Sequence, residues 1–120
     1  MSKVVINLAT GLEDAERVTV AFLVGGAAAE QGKDVTMFLT KEAVRVAIPG
    51  YAEGVACEGC PPLSRLLEQF AANGGKLLVC PICFSARKLD EESLVSSASM
   101  GGATPLWNWI GDDGATVFSY

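Results

Sequence analysis

Residues 74–87, which read GGKLLVCPICFSAR, decide the fold of this 120-residue chain. The two glycines end the element before them, and the apolar run that follows has the length and character of a strand buried on both faces. Pro81 then favours the first turn of a helix, because proline has no backbone N–H to lose there. The stretch therefore predicts a strand, a turn at Cys80 and a helix, as in a parallel α/β sheet.

The same alternation of strand and helix continues in both directions from this stretch. The clearest helix lies just before it, where Leu63, Leu66, Leu67 and Phe70 recur at helical spacing. Strands are predicted at residues 3–9, 34–40, 76–80 and 115–120, with a weaker candidate at 96–99. Further helices are predicted after residue 10 with a stop at Gly32, around 41–45, from 81 towards 88, and from 104 through 110. Residues 48–60 are predicted to form a long loop, with room for one short strand.

This order of elements predicts an α/β fold with three layers. The sheet is expected to be mainly parallel and five-stranded, with helices on both faces. A capping box formed by Thr10 and Glu13 is predicted to start the first helix. No linker or repeat divides the chain, so residues 1–120 are interpreted as a single domain.

Composition excludes several classes of function. The chain has 14 acidic and 9 basic residues and a formal net charge of −5, without a basic cluster that would follow a phosphate backbone, so nucleic acid is not an expected partner. No apolar run has the length of a signal peptide core or a membrane span, so no membrane partner is expected and the cytoplasm is the predicted location.

Cysteine is the residue type that indicates chemistry. The four cysteines form two CxxC pairs, Cys57/Cys60 and Cys80/Cys83, and the chain has no histidine. A Cys-His or Ser-His catalytic pair and a mixed Cys/His zinc site are therefore excluded within one chain. Cys80 is predicted at the end of a strand and the start of a helix, where a thiolate is stabilised and Cys83 lies close enough to resolve a mixed disulfide.

The residues leave three other interpretations open. The spacing C-x2-C-x19-C-x2-C falls within the range of four-cysteine zinc sites, so Cys57, Cys60, Cys80 and Cys83 are an alternative zinc ligand set in a non-catalytic interaction or ligand-binding module. A disulfide within either pair is a second alternative, which a reducing compartment disfavours. Simple burial of the cysteines as small apolar side chains is the third.

The order of motifs resembles the DsrE/DsrF-like family along essentially the whole chain. The most specific match is the Gly-Gly pair, the apolar strand, Cys80 and the Ala-Arg pair at residues 86–87. The resemblance implies a flavodoxin-like sheet and a homo-oligomer, commonly a trimer or hexamer. It also implies a sulfur carrier that uses a cysteine after the fourth strand, and Cys80 is the residue that matches this position.

For function, the resemblance implies that Cys80 accepts sulfane sulfur as a persulfide and passes it on, with Cys83 and the Cys57/Cys60 pair available for thiol exchange. The expected partners are sulfur donor and acceptor proteins or small thiols, and no metal or organic cofactor is needed. Such a protein would be a possible sulfurtransferase or sulfur-relay subunit. The Cys57/Cys60 pair departs from the general family pattern, and it is interpreted either as a resolving dithiol for Cys80 or as half of a metal site.

Overall fold

A computed structural model describes residues 2–120 and contains one five-stranded sheet in which all neighbouring strands are parallel. The spatial order of the strands is β4-β3-β2-β1-β5. This confirms the predicted five-stranded α/β fold. The strands are β1 (Lys3–Leu8), β2 (Asp34–Leu39), β3 (Lys76–Val79), β4 (Ala98–Met100) and β5 (Thr116–Ser119).

Four α-helices connect and cover these strands. They are α1 (Ala15–Glu30), α2 (Leu63–Ala72), α3 (Pro81–Ala86) and α4 (Ala103–Ile110), and short 3-10 segments occur at Leu12–Asp14, Lys41–Ala47, Ala52–Gly54 and Glu91–Ser93. From β1 to β4 each strand lies beside the previous one in the same direction, whereas β5 returns to the far side of β1. Since crossovers between parallel strands are right-handed, this reversal sends α4 to the face opposite α1 and α2.

Contacts confirm that helices cover both faces. On one face, the backbone of α1 at Gly25 lies close to Ile6, Met37 and Phe70, and Phe70 packs edge-on against Phe22 with ring centroids 5.7 Å apart. This face holds the main core, in which all five of these residues are buried. On the opposite face, Trp109 and Pro105 of α4 line a small groove with the alternate side chains Thr36, Leu78 and Ser99.

The ends of α1 and α2 follow the glycine signals in the sequence. Gly32 and Gly74 adopt left-handed φ values of 85° and 86°. After α2, the Gly74 N–H donates to the Ala71 carbonyl at 3.0 Å and the Gly75 N–H donates to the Phe70 carbonyl at 2.8 Å. This is the Schellman arrangement, which satisfies the last carbonyls of the helix and turns the chain directly into β3.

Three details differ from the predictions. The capping box was wrong: Asp14 caps α1 by accepting from the Arg17 N–H at 3.0 Å, while Glu13 instead accepts from the Gly11 N–H at 2.8 Å. A 3-10 turn ahead of α1 shifts the helix start and makes Asp14 the first residue able to cap it. Residues 48–60 contain a 3-10 turn and no strand, so Cys80 follows the third strand rather than the fourth.

Helix α4 is joined to the amino end of β1. Lys3 Nζ donates to the carbonyls of Trp109 at 2.6 Å and Ile110 at 3.1 Å, where the last turn of a helix has unsatisfied acceptors. Trp109 is half-buried, whereas Trp107 is 68% exposed, as expected for residues two apart on a helix. Within residues 2–120, no helix is long and apolar enough to cross a membrane.

Candidate functional site

Cys80 lies where β3 ends and α3 begins, as predicted. Its N–H donates to the Leu39 carbonyl at the end of β2, at 3.0 Å, and its carbonyl accepts from the Phe84 N–H, also at 3.0 Å. The backbone of Cys80 is therefore held on one side by the sheet and on the other by the first turn of α3. Its thiol is free and half-buried, and it forms no capping hydrogen bond. The backbone position of Cys80 is therefore fixed, and its side chain is partly accessible.

Cys83 lies one turn further along the same helix and is also free and half-buried. Both cysteines pack at the edge of the core without entering it completely, so complete burial describes neither of them. Between them, Ile82 is 80% exposed. The structure therefore places two thiols and an exposed apolar side chain on one short segment at the carboxyl edge of the sheet, where α/β proteins usually bind ligands.

An ion cluster supports the far end of this segment. Arg87 donates through Nε to Glu42 Oε2 and through Nη1 to the Cys83 carbonyl at 3.1 Å. Arg45 donates through Nε to Glu42 Oε1 at 2.8 Å. The hydrogen bond from Arg87, followed by that from Arg45, lowers the pKa of Glu42 below its ordinary value.

Arg87 therefore ties α3 to the 3-10 segment Lys41–Ala47. In the sequence Arg87 is notable only as part of the Ala-Arg pair, whereas in the structure its charge is paired with the Glu42 carboxylate. Glu42 was not identified as a neighbour of this segment. Glu42 and Arg45 have the i, i+3 spacing of a local ion pair, which the sequence shows; their contact with Arg87 depends on the tertiary fold.

The loop after β1 closes against the same 3-10 segment. The Leu12 N–H donates to Tyr51 Oη at 2.6 Å, and a Cβ atom at Gly11 would lie 2.8 Å from the Glu42 carbonyl oxygen. Burial is the main reason that the pKa of Tyr51 is raised. Glycine is therefore required at position 11 for a close approach of two backbones, and this loop is a structural turn.

Cys57 and Cys60 are bonded to each other as a disulfide, with Cα atoms 5.3 Å apart. They lie in the loop between the 3-10 turn Ala52–Gly54 and α2, and Cys57 Sγ is 3.7 Å from Thr19 Oγ1 of α1. The Cys57/Cys60 pair therefore lies against α1, whereas Cys80 and Cys83 lie at the start of α3 and within it. The disulfide alternative holds for this pair and does not hold for Cys80 and Cys83.

The alternative zinc site is not assembled in this structure. Across residues 2–120, no three Cys, Asp or Glu side chains come together in a group that could hold a metal ion. The two pairs of the alternative ligand set lie on different elements, since Cys57 contacts α1 while Cys80 and Cys83 lie at the start of α3 and within it. In addition, the Cys57 and Cys60 sulfurs bond to each other, so in this form neither is the free thiolate that zinc binds.

Comparison with known proteins supports the assignment that the motifs suggested. The model of the DsrE/DsrF-like family matches residues 2–119. The chain belongs to the DsrE/DsrF-like family. Among solved structures, the ychN protein from E. coli shares the fold with a TM-score of 0.78 at 21% sequence identity, covering 98% of this chain and all of that one. A structure of MTH1491 from Methanobacterium thermoautotrophicum gives a TM-score of 0.75 at 13% identity, with both chains covered completely.

A relative found by sequence similarity is longer than this chain. The protein MJ0760 of Methanocaldococcus jannaschii is 26% identical over 101 residues, which are 84% of this chain but 37% of that protein. The chain thus spans little more than a third of this relative. Membership of the DsrE/DsrF-like family supports a role related to sulfur relay, and it leaves the residues that carry out this role to be argued from the site itself.

Proposed function

We propose that the protein carries sulfane sulfur on Cys80 and passes it between donor and acceptor proteins or small thiols. The observation that supports this most directly is the placement of Cys80: a free, half-buried thiol on a backbone fixed by both β2 and α3, with a second free thiol at Cys83 in the same helix. Sulfur transfer requires a thiol that partners can reach and that stays in place while they exchange.

The proposed transfer is balanced in atoms and electrons. The Cys80 thiolate attacks the outer sulfur of a donor persulfide, R–S–SH, so that a bond from Cys80 Sγ to this sulfur forms while the donor S–S bond breaks. The donor leaves as a thiolate, and Cys80 carries the persulfide. An acceptor thiolate then attacks the same outer sulfur and releases the Cys80 thiolate. No metal or organic cofactor enters either step, and elemental analysis of active protein tests this point.

Cys83 is proposed to be the resolving residue. If no acceptor arrives, the Cys83 thiolate attacks Cys80 Sγ, an S–S bond forms between the two cysteines, and the outer sulfur leaves as hydrosulfide. The pair is then a disulfide that a reductant must reopen. The Arg87 hydrogen bond to the Cys83 carbonyl and the ion pair of Arg87 with Glu42 hold the end of α3 against the domain. We expect Arg87 and Glu42 to act as positioning residues for this segment.

Mass spectrometry of the intact protein tests the sulfur-carrier proposal. Incubation of the reduced protein with a persulfide donor should add mass in steps of about 32 Da, the mass of one sulfur atom. The added mass should be removed by a thiol acceptor. Cys80→Ser should abolish the addition, whereas the matched variant Cys83→Ser should still load and should hold its persulfide longer, because the resolving thiol is missing.

Equal loading of wild type and Cys80→Ser would contradict the assignment of Cys80. A double variant, Cys57→Ser with Cys60→Ser, provides a control that retains both thiols of α3. Loading that disappears in this control but survives in Cys80→Ser would place the carrier in the other pair.

Because free thiols persist in a reducing compartment, the cytoplasm is the proposed location of this chemistry.

A homo-oligomer, as a trimer or hexamer, is part of the proposal. It is supported by large apolar side chains that one chain leaves in water, including Trp107 at 68% exposure and Val117 at 57%, and by edge strand β5, all of whose residues are exposed. Light scattering should give a mass of three or six chains. Trp107→Lys should lower this mass, whereas Glu68→Lys, at an exposed polar position on α2, should not. A monomeric wild type would contradict this part of the proposal.

A further inference from the structure

The loop before α2 contains a second sulfur site that the proposed sulfur transfer does not use. The Cys57–Cys60 disulfide occupies this loop, between Val55 and Leu63, which are both buried in the core. The two residues between the cysteines, Glu58 and Gly59, are exposed. The loop is thus anchored at both ends by apolar side chains, and its sulfur-bearing turn lies at the surface, where a thiol reagent or a partner can reach it.

We propose that Cys57 and Cys60 form a redox couple of their own, which is opened and closed by exchange with dithiols independently of Cys80. This proposal goes beyond sulfur carriage, because a persulfide on Cys80 neither requires the couple nor reports its state. The expected reaction partner is a dithiol, either a small molecule or a protein with two neighbouring cysteines. Such a partner can complete the reduction without leaving a mixed disulfide behind.

The backbone of the turn prepares the two sulfurs to meet. The Cys60 N–H donates to the Cys57 carbonyl at 3.1 Å, which closes a four-residue turn. Gly59 has a φ of 79°, in the left-handed region that costs glycine nothing and costs other residues free energy. These features keep the Cα atoms 5.3 Å apart, within the usual range for a disulfide. The bond can therefore re-form without rearrangement of the core.

The two sulfurs are not equivalent. Cys57 Sγ faces α1 and lies 3.7 Å from Thr19 Oγ1, which belongs to a residue that is 1% exposed. The Thr19 hydroxyl donates to the Ala15 carbonyl at 2.8 Å, so its oxygen is free to accept a hydrogen bond. Cys60 is half-buried like Cys57, but its Sγ lies beside the exposed residue Glu58, 4.0 Å from the Glu58 carbonyl oxygen. Cys60 is therefore the sulfur that an incoming thiolate attacks, and Cys57 is the sulfur that leaves.

The exchange has two steps. A thiolate of the dithiol attacks Cys60 Sγ, a mixed disulfide forms, and the Cys57–Cys60 bond breaks to release Cys57 as a thiolate, which takes up a proton. The second thiol of the reagent then attacks the reagent sulfur that is bonded to Cys60 Sγ, and Cys60 is released as a thiolate. The reagent is oxidised to a disulfide, and the protein gains two electrons and two protons. The reduced Cys57 S–H can donate to Thr19 Oγ1, which stabilises the dithiol form.

A thiol titration in Cys80→Ser/Cys83→Ser protein tests the couple in isolation. Folded protein is equilibrated with dithiothreitol at increasing ratios of reduced to oxidised reagent, and free thiols are counted by alkylation and intact mass. We expect a single transition from no thiols to two, fully reversible, with unchanged circular dichroism. A pair that stays closed at the most reducing ratio, or stays open at the most oxidising one, would overturn the proposal. The double variant lacks Cys80 and cannot load sulfur there. Failure of this titration would therefore refute the redox couple without bearing on the sulfur-carrier proposal.

Two matched substitutions test the geometry. Gly59→Ala disfavours the left-handed turn that the disulfide needs and should shift the midpoint towards the dithiol by about tenfold in the reagent ratio. Gly54→Ala is the control, because Gly54 ends the 3-10 turn just before this loop, has no left-handed φ and has open space around it. Thr19→Val removes the acceptor for the Cys57 thiol and should shift the midpoint towards the disulfide by roughly twofold to fivefold. Thr36→Val, at a buried threonine on β2, is its control.

Single-cysteine proteins test the direction of attack. With only Cys60 present, reaction with an aromatic disulfide reagent should be severalfold faster than with only Cys57 present, because Cys57 Sγ lies against buried Thr19 whereas Cys60 Sγ lies beside exposed Glu58. The opposite order would overturn the assignment of the attacked sulfur. Equal shifts in Gly59→Ala and Gly54→Ala would overturn the role of the turn.

Discussion

Replacing Gly75 by alanine should destabilise the protein through a collision inside the core. A Cβ atom at this position would lie 2.5 to 2.6 Å from three ring atoms of Phe70, whereas carbon atoms in contact are normally about 3.5–4.0 Å apart. Phe70 is fully buried and packs against Phe22, so its ring is enclosed by neighbouring side chains. The Gly75 N–H also holds the Phe70 carbonyl, which fixes the backbone on the other side.

The expected loss follows from these distances. The ring or the backbone must shift by about 1 Å, and overpacking of this kind costs typically 1–3 kcal/mol. A single clash with a rigid, enclosed ring belongs at the upper end, so we expect Gly75→Ala to lower the free energy of unfolding by about 3 kcal/mol. Gly74→Ala is the matched control: a Cβ there meets nothing within 4 Å, and the φ of 86° alone costs roughly 1–2 kcal/mol.

Urea denaturation followed by tryptophan fluorescence measures both variants, provided that the slope of the transition is unchanged. The double variant Phe70→Leu with Gly75→Ala gives a second measurement, since a smaller side chain at position 70 relieves the collision. The cost of Gly75→Ala should fall by at least about 1 kcal/mol in this background. The reasoning fails if Gly75→Ala costs no more than Gly74→Ala, or if the two changes at positions 70 and 75 are additive.

Two further predictions concern single polar side chains. The pKa of Glu42 is lowered by Arg87 and Arg45, so its contribution to stability is complete above its ordinary value of 4.5 and disappears as the pH falls through the lower folded-state value. Wild type should therefore lose more stability than Glu42→Gln between pH 6 and pH 3. The difference should be less than about 1 kcal/mol, because the carboxylate is 41% exposed. Urea midpoints at both pH values measure it. Equal losses would show that the ion pairs contribute nothing. Lys3→Met removes the hydrogen bonds that end α4 and should lower stability by about 1 kcal/mol in thermal unfolding, whereas Lys33→Met, at an exposed position, should have no effect.

The candidate site was predictable only where it depends on neighbouring residues. Placing Cys80 at the end of β3 required only a buried strand followed by proline, and both signals lie within a few residues. The role of Arg87 was missed, because Glu42 is 45 residues away in sequence and nothing near either residue indicates their contact. Thr19, 38 residues from Cys57, was missed for the same reason. The capping box failed because Thr10 and Asp14 both suit a helix start, and only the folded turn selects Asp14.

The sequence by itself determined which segments become strands and helices, where α1 and α2 stop, and that Cys80 follows a buried strand. These features depend on side-chain periodicity and on the backbone preferences of glycine and proline, which act over a few residues. Only the tertiary structure decided that Cys57 and Cys60 dock against α1 while Cys80 and Cys83 stay with α3. It also paired Arg87 with Glu42 and brought Gly75 against the ring of Phe70. Such contacts join positions far apart along the chain, and they exist only after the sheet has brought its strands and helices together.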